Sequence, residues 1–286
     1  MSYRSIFKPG AFKGQTIIVT GGGSGLGRCM AHELAALGAH VVITGRNPDK
    51  LQKVEAEIKE DGGSVDWWAF DIREEDKVKE AVAAIVARHG RIHGLVNNAG
   101  GQFPQRLESI SARGWDAVVR NNLTGTFLMS REVVNQSMKA HGGSIVNITA
   151  DNWLGMPMMG HSGAARAGVV NFTETAALEW SIYGIRINSV APGVIASSGM
   201  DTYDGEMKEK MKSRHREIPF NRMGTEAEIS APVVFLLSEA AAYVTGATLR
   251  VDGGSPLGRP GFAMPDHNRA AEYQGFHRYE KPKVLR

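Results

Sequence analysis

Thr20-Gly21-Gly22-Gly23-Ser24-Gly25-Leu26-Gly27-Arg28 is the stretch whose reading decides the fold. It follows the apolar run Thr16, Ile17, Ile18, Val19 and leads into Cys29, Met30, Leu34, Ala35 and Leu37, apolar at helical spacing. That pattern spells strand, glycine turn, helix. Glycine tolerates the tight turn, the close approach of a pyrophosphate and close helix packing, and the helix start offers unpaired N–H groups to phosphates. Gly21, Gly23, Ser24, Gly25, Leu26 and Gly27 are therefore the expected dinucleotide cradle.

A second strand, His40 to Thr44, arrives after the helix and ends in Gly45-Arg46. An acid at this place would bind a ribose diol; a glycine followed by a guanidinium suits a 2′-phosphate instead, so the expected cofactor is NADP(H).

Composition sets the outer limits. With 286 residues and 42% hydrophobic content the chain can bury a core as one domain. The single cysteine, Cys29, falls on the apolar side of the first helix and cannot form an internal disulfide, which fits a reducing, cytoplasmic setting. No run approaches the ~20 apolar residues that span a bilayer. The net charge of +3 is mild and its basic residues are scattered, which argues against nucleic acid as a partner.

The alternation continues with a helical pattern over Pro48 to Glu60 and a strand over Ser64 to Phe70, as expected of a parallel sheet covered on both faces. Adjacent Trp67 and Trp68 must point to opposite faces and are read as packing residues. Asp71, followed by Ile72 and Glu74, reads as a capping box; the same carboxylate can accept from an adenine amino group, and the two uses are compatible. The fourth strand, Leu95 to Asn98, ends in Asn98-Ala99-Gly100-Gly101, small residues where a flat ring or ribose would lie.

With that run beside the glycine turn, the chain resembles a short-chain dehydrogenase/reductase. Further matches are Asn122-Leu123, Ser144 to Ile148, Ala191-Pro192-Gly193 and Val251 to Gly254. The resemblance implies a Rossmann-type, doubly wound, seven-stranded parallel α/β sheet over residues 15–254, after an N-terminal arm (1–14). It also implies a nicotinamide cofactor touching Pro192, Gly193, Ile195 and Ser197, and a homotetramer packed through the helices around Trp115 to Met138 and Ser162 to Tyr183.

The family's catalytic asparagine matches Asn122, but its tyrosine falls on Ser162, its lysine on Arg166 and its serine on Ala150, beside Thr149 and Asp151. Arginine holds its proton, so Arg166 can bind a ribose hydroxyl but not relay a proton. A serine hydroxyl is too weak an acid to replace a tuned phenol. Reduction of an activated C=C bond asks for less: a fixed donor to a thioester oxygen as the enolate forms.

Gly160 to Val169 and Gly100 to Phe103 resemble peroxisomal-type trans-2-enoyl-CoA reductases, and the related 2,4-dienoyl-CoA reductases place a tyrosine where Asp151 stands. The expected substrate is thus a small molecule, an acyl-CoA thioester, with Asn122, Asp151, Ser162 and Arg166 as catalytic residues and no metal. His161 reads as a cap or packed ring. Two rivals are an alcohol/aldehyde dehydrogenase for an acyclic terpenoid of the citronellol type, and a non-catalytic NADP(H)-binding protein. Residues 197–220, rich in Met, Lys and Arg, occupy the lid position. The extension 255–286 carries Phe262, Tyr273, Phe276 and Tyr279, too aromatic for a free linker, and is expected against a neighbouring subunit or the lid.

Overall fold

A computed structural model describes residues 2–203, 205–258 and 265–286, so Phe262 lies outside the described residues. The first apolar run forms β1 (Thr16–Thr20), buried along its whole length. A strand covered on both faces has no solvent side, which is why its apolar residues run on without alternation. It is joined in register by β2 (His40–Gly45), β3 (Ser64–Ala69), β4 (Gly94–Asn97), β5 (Gly143–Ile148), β6 (Ile185–Pro192) and β7 (Thr248–Val251). All pairs are parallel, in the order β3-β2-β1-β4-β5-β6-β7. The order reverses between β1 and β4, and the crevice beyond their carboxyl ends is where such sheets bind ligands.

One face is covered by α1 (Gly25–Ala36), α2 (Pro48–Glu60) and α9 (Glu226–Leu237), through Met30, Leu34, Leu51, Ile58, Ile229 and Val233. The other is covered by α3 (Glu75–His89), by a long helix, and by α7 (Gly160–Trp180). The long helix is built from α4 (Ala112–Val119), α5 (Gly125–Val133) and α6 (Lys139–His141), joined by π-helical segments Arg120–Thr124 and Val134–Met138. α8 (Gly205–Ser213) lies within residues 197–220. Helix α2 spans the residues its pattern predicts, with Asn47 capping Lys50 N–H and Pro48 in the first turn. Trp67 packs into the α1/α2 side and Trp68 into the α3 side, one per face as the pleat requires.

Two expectations need correction. Asp71 and Glu74 form no capping box: α3 starts at Glu75 with Glu74 as an N-cap that makes no side-chain bond. Asp71 is instead taken by Arg73, whose backbone N–H and guanidinium both donate to it. A local ion pair two residues away is reached sooner than the helix start.

The extension, for its part, folds chiefly onto its own chain. Phe276 is 1% exposed, buried with Tyr3, Cys29 and Ala227, and the Arg28 guanidinium lies 5.0 Å from its ring centre. Arg278 grips Asp61 with two bonds, at 3.0 and 2.8 Å. The extension also touches residues 197–220: Val284 packs with Met200 and Met223, its N–H donates to Asp201, and His267 Nε2 lies 2.9 Å from Pro219 O.

Candidate active site

The glycine turn is shaped by what surrounds it. A Cβ on Gly27 would collide with the carbonyl oxygen of Gly21 and the side-chain amide of Asn98, so α1 packs onto the turn only because that atom is missing. Thr20 Oγ1 donates to Val96 O and accepts from the N–H groups of Asn98 (2.9 Å) and Ala99 (3.0 Å), tying β1 to the end of β4. The Asn98 amide donates to Thr20 O, so this predicted cofactor residue is employed in bracing the turn.

Ser24 is the extended N-cap of α1 and makes no side-chain bond within the helix; Gly23 lies beside Lys50, and Leu26 packs on the core. Arg46 is exposed, close enough to Asp71 to help hold its carboxyl below the usual range, although Arg73 is the main cause. Ile72 is buried against Gly125. Gly193 donates to Val251 O, Ile195 bridges to Gly224, and Ser197 precedes the short turn Ser198–Thr202, its carbonyl accepting from Met200 N–H. These residues and the turn line the switch-point crevice from both sides. Residues 21–27, 98–100 and 192–197 stand at or just beyond the carboxyl ends of β1, β4 and β6, the place where doubly wound sheets take a dinucleotide.

Beside it lies a tight polar cluster. The π-segment widens the helix at Asn122, whose amide donates to Gly101 O (2.7 Å) and Val118 O (2.8 Å) while its oxygen accepts from Gly101 N–H. Arg166, one turn along α7 from Ser162, is buried and donates to Ile148 O at the end of β5. Burial pulls its pKa down to about 10, which leaves it protonated at neutral pH. A Cβ on Gly100 would strike both the Arg166 guanidinium and the Asn122 oxygen, so the loop after β4 passes them as bare backbone.

Ser162, fully buried, donates from Oγ to Gln102 Oε1 at 2.6 Å, and the Gln102 amide reaches Tyr203 Oη at 3.5 Å. His161 is packed edge to face on Phe103 and accepts the Ser162 N–H at Nδ1, a packed ring as its sequence position predicts. Under the cluster a buried polar chain runs Ser130, Asn97, Asn147, Thr173, Ser189, binding the long helix, two central strands, α7 and β6.

Asn122, Arg166 and Ser162 thus converge around the Gly100–Gln102 loop, whereas Asp151 is turned toward the β6–β7 end. Its N–H donates to Pro192 O, and among the described residues no hydrogen bond joins it to Ser162 or Arg166. Burial, and then the neighbouring Asp252 carboxylate, raise its pKa.

Two residues of the site escape sequence reading. Gln102 partners a serine sixty positions away, a pairing no local pattern announces. Glu226, buried at the start of α9 beside Gly25 and the Ser198 backbone, could have been flagged only through the Thr225-x-x-Glu228 capping box that places it in a first helical turn.

A seven-stranded doubly wound sheet with this crevice and polar cluster defines a dinucleotide-dependent oxidoreductase. A family model described as "Enoyl-(Acyl carrier protein) reductase" matches residues 21–255, and the chain belongs to the short-chain dehydrogenase/reductase family, whose members use a nicotinamide cofactor. It is 37% identical over 246 residues to the "Probable 2,4-dienoyl-CoA reductase" of Bacillus subtilis (strain 168), covering 85% of this chain and 97% of the relative. It is 35% identical over 258 residues to the peroxisomal 2,4-dienoyl-CoA reductase of Danio rerio, covering 89% and 86%. The solved structure of a citronellol catabolism dehydrogenase from Pseudomonas aeruginosa PAO1 is 58% identical, with a TM-score of 0.81 over 88% of this chain and 99% of that one.

Proposed function

We propose that the protein is an NADP(H)-dependent reductase of 2-enoyl-CoA or 2,4-dienoyl-CoA thioesters. The observation that carries this reading is the pair Ser162 and Arg166, a fixed neutral donor one helical turn from a buried cation, in place of a titratable phenol. Residues Gly21 to Gly27, Asn98 to Gly100, Asp71, Ile72 and Pro192 to Ser197 hold the dinucleotide, and Arg46 meets its 2′-phosphate. The bound nicotinamide supplies the hydride.

Ser162 gives up Gln102 and donates to the thioester oxygen as negative charge grows there. Arg166, one turn below, lends that oxygen positive potential and orients a ribose hydroxyl. Asn122 holds the Gly101 backbone and thereby the loop on which Gln102 rides. Asp151 faces Pro192 and Asp252 rather than Ser162, so the proton for the α carbon comes from water. Dienoyl-CoA reductase relatives from two kingdoms support the substrate class.

A second reading, oxidation of an apolar acyclic alcohol, draws on the 58% identical citronellol catabolism dehydrogenase. Alcohol oxidation requires a base at the hydroxyl, and Ser162 and Arg166 supply none.

The test follows NADPH absorbance with trans-2-decenoyl-CoA and 2,4-decadienoyl-CoA, for wild type and Ser162→Ala. Turnover is expected with at least one thioester, falling about 100-fold or more in kcat on loss of the donor. No turnover with either thioester, together with NADP+ reduction by citronellol, would transfer the assignment to the second reading.

A further inference from the structure

At the amino-terminal edge of the sheet, opposite the glycine turn, two histidines and an aspartate converge from three elements. His40 opens β2 and is paired with Ser64 of β3; Asp66 lies two residues further along β3, on the same face as Ser64. That face is the one α3 covers, and His89 closes α3 on the stripe of Val78, Val82 and Ile85 that packs against it. The geometry is therefore imposed by the sheet register and the helix period.

The donor atoms meet at one oxygen. His40 Nε2 is 3.2 Å and His89 Nε2 3.1 Å from Asp66 Oδ2, and the two imidazole rings are 4.4 Å apart. Bonds of roughly 2.0 to 2.2 Å to a tetrahedral zinc put neighbouring ligand atoms about 3.3 Å apart, close to the distance of each imidazole nitrogen from Asp66 Oδ2. His89 Nε2 is closed off from solvent, and despite its short approach to Asp66 it is not aligned for a hydrogen bond. One ligand atom from each of His40, Asp66 and His89 lies within 4.8 Å of the other two.

The surrounding groups act as a metal site's outer partners do. His40 Nδ1 is held by Ser64 Oγ at 2.7 Å, which fixes the ring with Nε2 inward. Arg88 donates to Asp66 Oδ1 at 2.9 Å, leaving Oδ2 for the centre. That guanidinium also works against a hard ion such as Mg2+ or Ca2+, which would need more carboxylate oxygens than the single Asp66 offers. Two imidazoles and one carboxylate favour a borderline ion.

We propose that His40, Asp66 and His89 form a binding site for a divalent transition metal of zinc type, remote from the reaction centre, that pins the end of α3 to the edge strand β3. The site leaves a fourth position for water.

The experiment titrates full-length, chelator-stripped protein with ZnCl2 by calorimetry and follows melting temperature in parallel; Co2+ serves as a coloured probe. One Zn2+ per chain is expected, with a concentration-dependent rise in melting temperature and a tetrahedral Co2+ absorption band. Both are expected to vanish in His89→Gln and Asp66→Asn, while Ser64→Ala, which removes only an outer partner, weakens binding about 10-fold. Reductase activity without metal should be the same in wild type and His89→Gln, which also verifies that the variant is folded. Absence of Zn2+ binding, or binding and Co2+ spectra that persist in His89→Gln, would overturn the proposal.

Discussion

Arg166 is enclosed by the Gly100 backbone, Asn122 and the end of β5, and it bonds Ile148 O. A buried cation with a fixed fork is costly to leave and costly to remove, because its carbonyl partner then loses its donor. Arg166→Met keeps most of the bulk and deletes the charge. It is expected to lower kcat/KM for the thioester by about 100-fold and to shrink the melting-temperature rise caused by NADPH, measured by steady-state kinetics and thermal scans. A second residue-scale prediction concerns Glu226. Burial lifts its pKa to about 7, against the opposing Arg28 charge and a Ser198 backbone bond. Because the folded value lies above the unfolded one of about 4.3, its contribution to stability is complete below pH 4 and is lost as pH rises through 7. The shift corresponds to about 4 kcal/mol at alkaline pH. Glu226→Gln keeps an acceptor for Ser198 without the charge. Its melting temperature should exceed wild type at pH 8.5 and match it near pH 4; equal curves at both would show that the carboxylate is hydrated in place.

The C-terminal extension is the element that most changes the picture of this chain. Phe276 stacks on Tyr3 at 5.9 Å and fills the space beside Cys29, so Arg28, α1 and the N-terminal arm are fastened together through one ring. Phe276→Ala should cost about 3 kcal/mol in chemical denaturation and free the arm to amide exchange, with α7 unaffected. Composition signals that the extension packs but not where: Tyr273, Phe276 and Tyr279 cluster with Tyr3, Cys29 and Ala227, partners scattered along the chain that no local spacing announces. The sheet was readable because its signals are local. Continuous apolar runs such as Ile17 to Val19 and the Asn47-Pro48 start of α2 each report on a few neighbours. The site divides along the same line. Glycines that must lack a Cβ, as Gly27 does, mark themselves in the sequence, and alignment to a family motif placed Ser162, Arg166 and Asn122. Gln102 and Glu226 owe their roles to burial and long-range pairing, which motif spacing does not record. Asp71 shows the converse: its spacing to Glu74 satisfied a capping rule, and a nearer arginine took the carboxylate first.

At the scale of the molecule, the helices on the α3 and α7 side present apolar surface that the single chain does not cover. Leu178 near the end of α7 and Ile182 in the 3-10 turn that follows it are each 79% exposed, and Trp115 and Phe127 of the long helix are also exposed. Exposed large apolar side chains on the helices of one face suit an interface. The helices that carry it are those the family resemblance assigns to packing between subunits, and the occupant we propose is a second copy of this chain in a homotetramer. A closed assembly of that symmetry uses the same patch on both partners, so one substitution acts twice at each contact. Introducing two carboxylates by Leu178→Glu together with Ile182→Glu sets like charges against each other in a desolvated interface. Because both side chains are exposed in the single chain, the change leaves its core intact. Light scattering after size exclusion should then report a smaller species than wild type, with unchanged far-UV circular dichroism. If wild type and variant run at the same mass, these residues lie outside the assembly contacts and the α7 surface has another use.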